Sequence, residues 1–522
     1  MRVLFAVCMC LAAVIPAKHA LHMFQQNRYE NGRYAGWIRE NISDSMAKNV
    51  LPMGLCLIGL ILGFFHLPAV IFMIFCILLF LYGWMMEKGI AYIKPLVVTA
   101  RVKRQIAVLA VLYVIVLAVI LGCVPASICY GVLTGCAWVL PWVLLFPVGW
   151  ITSPIEHGVQ MHYLNDAKRQ LEEHTGLVKI GITGSYGKTT TKNIMQAMLS
   201  EKFNTLMTPA SFNTPMGITR TIREYLKPIH QVFVCEMGAD HVGDITELMN
   251  FVHPSIGVVT SIGPQHLNTF GSQENIIHEK MQMIEMLPQD GLGILNYDND
   301  FIRSYQIRNT VKTVTVGIDH TDVDYHAENI TYTPRGSRFT VVHGEERIEL
   351  ETKLLGKLNI LNILAAVAAA RYLGLSWTEI AHASRTMKQV EHRLELKVIN
   401  GRHFIDDAFN ANPSGSHMAL DVLSMMPGKR VIVTPGMIDL GVKQDEINHD
   451  FGTYMKDKAD AVVLVGETQT RPIKKGLEDA GYDMSHVTVL STEKEAFGWV
   501  WQNTTSADTI LLENDLPDAF NH

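Results

Sequence analysis

The sequence predicts an α/β protein with a membrane unit in front. Residues 1–155 form a transmembrane helical unit, about 176–390 a P-loop central domain with a mostly parallel sheet, and about 391–522 a smaller α/β domain. Three observations predict this. Residues 1 to about 155 are hydrophobic with few charges, whereas the remainder has mixed polarity. A glycine turn carrying Gly187-Lys188-Thr189 follows the apolar run Val178 to Thr183. Beyond it, short apolar runs alternate with helical patterns, the signature of a parallel sheet covered on both faces.

At 522 residues the chain is too long for one core. Seven of the eight cysteines lie in the hydrophobic part, and Cys235 alone lies beyond it, without metal-ligand or disulfide spacing. This fits a reducing compartment for the polar part. A net charge of −6 and the lack of a Lys/Arg-rich tract argue against a nucleic-acid partner.

From the N-terminus, Val3 to Ala17 is an apolar run that alone could be a signal peptide. The sequence after it favours an anchor. Val50 to Met86 is long enough for two crossings with a turn near His66-Leu67-Pro68, and Ile106 to Ile151 for two more with a turn near Gly122 to Pro125. Arg28, Arg33, Arg39 and Lys48 lie in one connecting stretch, and Lys88, Lys94, Arg101, Lys103 and Arg104 in another, while both turns are uncharged. Five spans with these stretches and the polar domains in the cytoplasm satisfy the positive-inside rule. The expected location is the cytoplasmic membrane, multi-pass, in contact with membrane lipid.

The central element is Gly184-Ser185-Tyr186-Gly187-Lys188-Thr189-Thr190, read as strand, loop and helix. Glycines let backbone N–H groups converge on phosphate oxygens, and the helix start adds partial positive charge. Lys188 reaches the β- and γ-phosphates of ATP, and the Thr189 hydroxyl serves Mg²⁺. Ile182 stands where the full Walker pattern has its first glycine. Further strand-like runs at Gln231 to Cys235, Ile256 to Thr260, Gly293 to Leu295 and Val311 to Val316 complete the expected sheet. Ligands in such sheets bind beyond the C-terminal strand ends. Glu236 ends one run, His266 follows another, and Lys280 lies in the helical stretch Ile276 to Met286. Singly, each is more often a cap, a loop residue or a solvated cation; downstream of a phosphate loop the three form a constellation. In the last part, runs at Val431 to Thr434, Ala461 to Val465, Val487 to Leu490 and Thr509 to Leu512 predict the second sheet.

These blocks resemble the Mur ligases, ATP-dependent amide-forming enzymes of peptidoglycan precursor synthesis, and especially the MurF type. The resemblance runs through Thr183 to Thr190, Glu236-Met237-Gly238-Ala239, Ile262 to Leu267, Phe270-Gly271-Ser272, Asn359 to Asn362, His392-Arg393-Leu394-Glu395 and Asp406 to Pro413. It implies that Gly184, Ser185, Gly187, Lys188, Thr189 and Thr190 hold the ATP phosphates. It further implies that Thr189 and Glu236 hold one Mg²⁺ and that His266 ligates a second. Lys280 stands where several of these ligases carry a carbamylated lysine, an oxygen ligand in place of a cation. Asn296 and Asn359 are expected at the adenine, Asp407 at the ribose and Arg393 at the phosphates. Lys188, His266, Lys280 and Arg393 are thus the expected catalytic groups. The implied reaction activates a carboxylate as an acyl phosphate, which an amine then attacks. The carboxylate would belong to a muramoyl peptide and the amine to D-alanyl-D-alanine or an amino acid.

Four departures stand out. Leu358 replaces a common His, and Pro435-Gly436 replaces a usual Gly-Asp. Leu512 to Asp518 is acidic where the MurF type has a Lys-Gly-Ser-Arg segment; this favours a more cationic amine or forms a solvated edge, the latter being the simpler reading. The spans occupy the place of a soluble substrate domain, which points to a lipid-linked carboxylate. Competing readings are a membrane-bound ligase of the poly-γ-glutamate type, disfavoured by Asn410-Ala411-Asn412-Pro413, and a transporter driven by a P-loop ATPase, disfavoured by spans almost without charge.

Overall fold

The computed structural model describes every residue except 66, 89–94, 266, 334–335, 390–393, 409–412, 439, 441–442 and 515–522. The expected site residues His266 and Arg393 therefore lie outside the described residues. The chain falls into two compact units, Met1–His162 and Tyr163–His522.

In the first unit, the helices Arg2–Gln26, Ala69–Glu87 and Ala100–Cys123 are each long and apolar enough to cross a membrane. Two of the five expected spans change on inspection. The helix Val50–Leu62 has 13 residues, roughly 20 Å at the α-helical rise, against a hydrocarbon core of roughly 30 Å. Ile128–Cys136 and Leu140–Glu173 meet at a bend of 75° and count together as a fourth candidate at most. Pro141 stands in the first turn of the second helix, where its missing N–H costs no helical bond. The basic stretch read as a connection contains the helix Asn31–Lys48. Short helices here pack by close backbone approach: a Cβ on Gly131 would stand 2.5 Å from Gly63 Cα, and one on Gly59 2.6 Å from Thr134 Cγ2. Small residues four apart on both partners, Gly59 and Gly63 on one and Gly131 and Gly135 on the other, make such contact possible. The buried Glu156 carboxylate accepts two bonds from the Arg104 guanidinium, at 2.6 and 2.8 Å.

The second unit holds two sheets. The larger contains β1 (Val178–Thr183), β2 (Thr205–Met207), β3 (Val232–Glu236), β4 (Ile256–Val259), β5 (Leu292–Asn296), β6 (Lys312–Gly317), β7 (Tyr325–Thr333), β8 (Gly336–His343) and β9 (Glu346–Thr352). Their order is β2-β3-β1-β4-β5-β6-β7-β8-β9. Pairing is parallel through β7, and β7, β8 and β9 then form an antiparallel meander. β1, β3, β4 and β5 carry the β-branched and aliphatic residues of strands buried on both faces: Ile180, Ile182 and Val234 join one core, and Phe233 and Cys235 the other.

The smaller sheet contains β10 (Glu395–Ile399), β11 (Arg402–Asp407), β12 (Arg430–Thr434), β13 (Ala461–Val465), β14 (Val487–Leu490) and β15 (Thr509–Glu513). Its order is β10-β11-β15-β12-β13-β14, with only β10 antiparallel. Both sheets match the expected mostly parallel α/β class. One expectation changes at β15. Glu513 is not part of a solvated edge: it is 0% exposed and accepts a bond from the Ser416 hydroxyl at 2.5 Å. Asn514 Nδ2 donates to the Gly436 carbonyl at 2.6 Å.

Candidate active site

The strand order puts β1 between β3 and β4, so three C-terminal strand ends lie side by side. Register pairs Ile182 with Glu236 and Thr183 with Val259. The loop after β1 thereby faces Glu236 on one flank and Thr260 on the other, at a switch point of an open sheet.

Gly184 has a φ of +151°, and a Cβ there would fall 2.2 Å from Thr260 Oγ1. Gly187, at φ +84°, opens the helix Lys188–Leu199 and approaches Asn362. These two positions need glycine, one for close approach and one for a left-handed turn. The loop is fastened to the residues after β4. Ser185 N–H donates to the Ser261 carbonyl at 2.7 Å, Tyr186 N–H to Ser261 Oγ at 3.0 Å, and Gly263 N–H to Ser185 Oγ at 3.0 Å. The first helical bond runs from Thr191 N–H to the Gly187 carbonyl at 2.8 Å. The amides of Lys188, Thr189 and Thr190 thus belong to the helix start, where N–H groups have no helical acceptor and suit an anion. Lys188 Nζ donates to the Gly184 and Ser185 carbonyls at 2.6 and 3.0 Å, folded over its own loop.

Glu236 ends β3 and is buried. Its Oε2 accepts from Thr189 Oγ1 at 3.0 Å and from Lys192 Nζ at 3.0 Å, and its Oε1 from Asn213 Nδ2 at 3.1 Å. A hydroxyl and a carboxylate that already touch are hard oxygen donors that fit Mg²⁺ together with phosphate oxygens. Lys192 and Asn213 were not singled out in the sequence. Lys192 falls one helical turn after Lys188, the interval that puts two side chains on one helix face, and this was the available signal.

Lys280 lies in the helix Gln273–Glu285, and its Nζ donates to the Ala239 carbonyl at 3.2 Å. Burial pulls its pKa down to about 7, helped by the Lys188 charge and opposed by Glu279, Asp244 and Asp240. Lys188 and Lys280 therefore share one electrostatic neighbourhood. Beside it, Asp240, His241 and Asp244 offer ligand atoms within 4.8 Å of one another. The buried Glu279 accepts from the Gly243 and Ile245 amides at 2.8 and 2.6 Å, which fixes the start of the helix Asp244–Val252.

The residues expected around the nucleoside are placed as follows. Asn296 closes β5, and its Nδ2 donates to the Thr260 carbonyl at 2.8 Å. Asn359 lies in the first turn of the helix Lys357–Tyr372, and its Nδ2 donates to the Leu355 carbonyl at 2.7 Å. Asp407 ends β11 in the smaller sheet, where its Oδ1 accepts from Leu394 N–H at 3.1 Å.

Residues 182–370 match the family profile described as the Mur ligase middle domain, and residues 392–513 that of the Mur ligase glutamate ligase domain. Over 351 residues the chain is 30% identical to the UDP-N-acetylmuramoyl-tripeptide--D-alanyl-D-alanine ligase of Bacillus subtilis, covering 66% of this chain and 75% of that protein. The Escherichia coli ligase of the same name is 31% identical over 291 residues, covering 55% of this chain and 64% of that protein. Among solved structures, MurF from Acinetobacter baumannii superposes with a TM-score of 0.61 at 26% identity, covering 68% of this chain and 77% of that one. The chain belongs to the Mur ligase family and is a MurF-like ATP-dependent ligase that forms a peptide bond in peptidoglycan precursor synthesis.

Proposed function

We propose that this ligase works at the cytoplasmic face of a membrane and joins a muramoyl-peptide carboxylate to an amine such as D-alanyl-D-alanine. The observation that carries the ATP chemistry is the Thr189–Glu236 contact of 3.0 Å beside the phosphate loop. The loop amides and Lys188 bind and orient the phosphates, with Lys188 turning from its loop carbonyls toward them. Bound Mg²⁺, held by Thr189 and Glu236, supplies charge neutralisation during phosphoryl transfer. His266 and Arg393 take a second metal ion and the phosphates respectively, roles that come from the family resemblance. Asn296 and Asn359 take the adenine and Asp407 the ribose on the same ground.

Lys280 serves as a carbamate. Addition to carbon dioxide requires a neutral amine; the N–C bond forms and a proton leaves. A lysine whose pKa lies at about 7 supplies that amine at neutral pH. The product is an anionic oxygen ligand facing the region of Lys188.

The membrane reading rests on three helices long and apolar enough to cross, in the part of the chain that precedes the ligase domains. A soluble nucleotide sugar gives no reason for such a unit, whereas a lipid-linked muramoyl peptide does. The deciding experiment is phosphate release by the full chain in detergent. It is offered UDP-muramoyl tripeptide or a lipid-linked muramoyl peptide, each with D-alanyl-D-alanine, single amino acids and diamines. Turnover on the lipid-linked form supports the proposal. Turnover only on the soluble form removes the lipid-linked substrate, and no amine-dependent ADP formation on either removes the substrate pair.

A further inference from the structure

The side chain of Lys192 is 1% exposed. It is placed on the helix that begins at the phosphate loop, and it donates to Glu236 Oε2 at 3.0 Å and to the Ala210 carbonyl at 2.5 Å. Glu236 Oε2 is the same oxygen that Thr189 reaches. Asn213 holds the other carboxylate oxygen, and Glu236 N–H donates to Thr208 Oγ1 at 3.1 Å. The carboxylate is thus fixed at both oxygens and at its backbone.

A buried lysine is costly unless a nearby carboxylate offsets its charge, and a hydrophobic side chain of similar length would serve packing alone. The geometry gives the cation a more specific task. We propose that Lys192 is a positioning residue for Mg²⁺: its charge beside Glu236 holds Oε2 directed at Thr189. When Mg²⁺ arrives with the nucleotide, the Thr189–Glu236 hydrogen bond gives way to the ion, while Lys192 and Asn213 keep the carboxylate oriented. Partners that orient a metal ligand commonly tune metal affinity by about 10- to 100-fold.

This inference rests on the ATP-dependent ligase reading, and the test separates the two. ADP affinity is measured by calorimetry on the full chain in detergent, once with excess Mg²⁺ and once with EDTA. If the wild type gains nothing from Mg²⁺, the metal reading itself falls. If it gains, Lys192→Met is compared. The expected result is that the Mg²⁺-dependent gain shrinks about tenfold, while affinity in EDTA, set by the loop amides and Lys188, changes less than about twofold. Lys192→Arg, which keeps the charge and a donor, is expected to restore much of the gain. An unchanged gain in Lys192→Met overturns the proposal, as does an equal fall in both conditions, which marks a structural role only. Should Lys192→Met fail to fold, Lys192→Gln keeps a donor to Glu236 without the charge. It is expected to lose part of the gain, and full retention there overturns the charge role.

Discussion

Lys280 Nζ lies 3.2 Å from the Ala239 carbonyl, which ties the helix Gln273–Glu285 to the chain leaving β3. The contact keeps the amine close to Lys188 and away from water. On the carbamate reading proposed above, this amine acts only after its charge is changed.

The first prediction concerns that change. Lys280→Ala is expected to abolish turnover. In the wild type, activation by bicarbonate should be half-lost near pH 7, because the amine that forms the carbamate becomes an ammonium as pH falls through about 7. Initial rates at fixed ATP, with and without bicarbonate between pH 6 and 8.5, check this. Full activity in Lys280→Ala under both conditions would remove the residue from the mechanism.

The same depressed pKa makes a stability prediction. Between about 7 and the ordinary 10.5, the unfolded chain binds a proton that folded Lys280 has released. Stability therefore rises with pH across this window and is lost as pH falls toward 7. Urea midpoints at pH 7 and 9 should increase more for the wild type than for Lys280→Met, measured without bicarbonate.

At the phosphate loop, Gly184→Ala places a methyl group 2.2 Å from Thr260 Oγ1. It should weaken ATP binding by at least about fivefold, on the scale of a clash worth about 1–3 kcal/mol. Adding Thr260→Ala should recover part of the loss. Nucleotide titrations of the single and double variants test the contact, and an affinity in Gly184→Ala equal to wild type would show that the loop yields freely.

For the buried ion pair, Glu236→Ala leaves Lys192 uncompensated inside the protein. A loss of about 3–5 kcal/mol is expected for a broken buried pair. Glu236→Ala combined with Lys192→Met should be more stable than Glu236→Ala alone, although on the proposed Mg²⁺ reading both lose the metal. Thermal denaturation of the three proteins decides it; a double variant less stable than the single would contradict the pairing.

In the first unit, Gly131→Val inserts side-chain volume where a Cβ alone already stands 2.5 Å from Gly63 Cα. Separation of Val50–Leu62 from Ile128–Cys136 should lower the melting temperature in detergent. Phosphate release with whichever muramoyl peptide the wild type turns over is expected to persist at the wild-type rate, because the phosphate loop lies in the other unit.

How much of this was readable in the sequence follows from what kind of signal each part leaves. The phosphate loop was legible because Gly187-Lys188-Thr189 between an apolar run and a helical pattern has few other uses, and Glu236 was legible as the last residue of a continuous apolar strand. Every run proposed as a central parallel strand is a strand within one or two residues. The meander β7 to β9 was not proposed, although Phe339 and Val341 alternate with Arg338 and Thr340, because its polar outer face dilutes an apolar signal. Lys192 and Asn213 escaped for a different reason. A lysine or asparagine takes meaning only from the carboxylate it meets, and Glu236 lies 44 residues from one and 23 from the other. Among the spans, length of apolar sequence was visible, but the 75° bend beside Pro141 and the early end of Val50–Leu62 depend on where helices break, which hydropathy does not encode.

β15 enters between β11 and β12, and in the described sheet it supplies the ladder that links β10 and β11 to β12, β13 and β14. Without the strand Thr509–Glu513 the sheet would be two halves, each with an open parallel edge of the kind that invites mispairing. Damage to this one strand therefore divides the domain rather than trimming its rim.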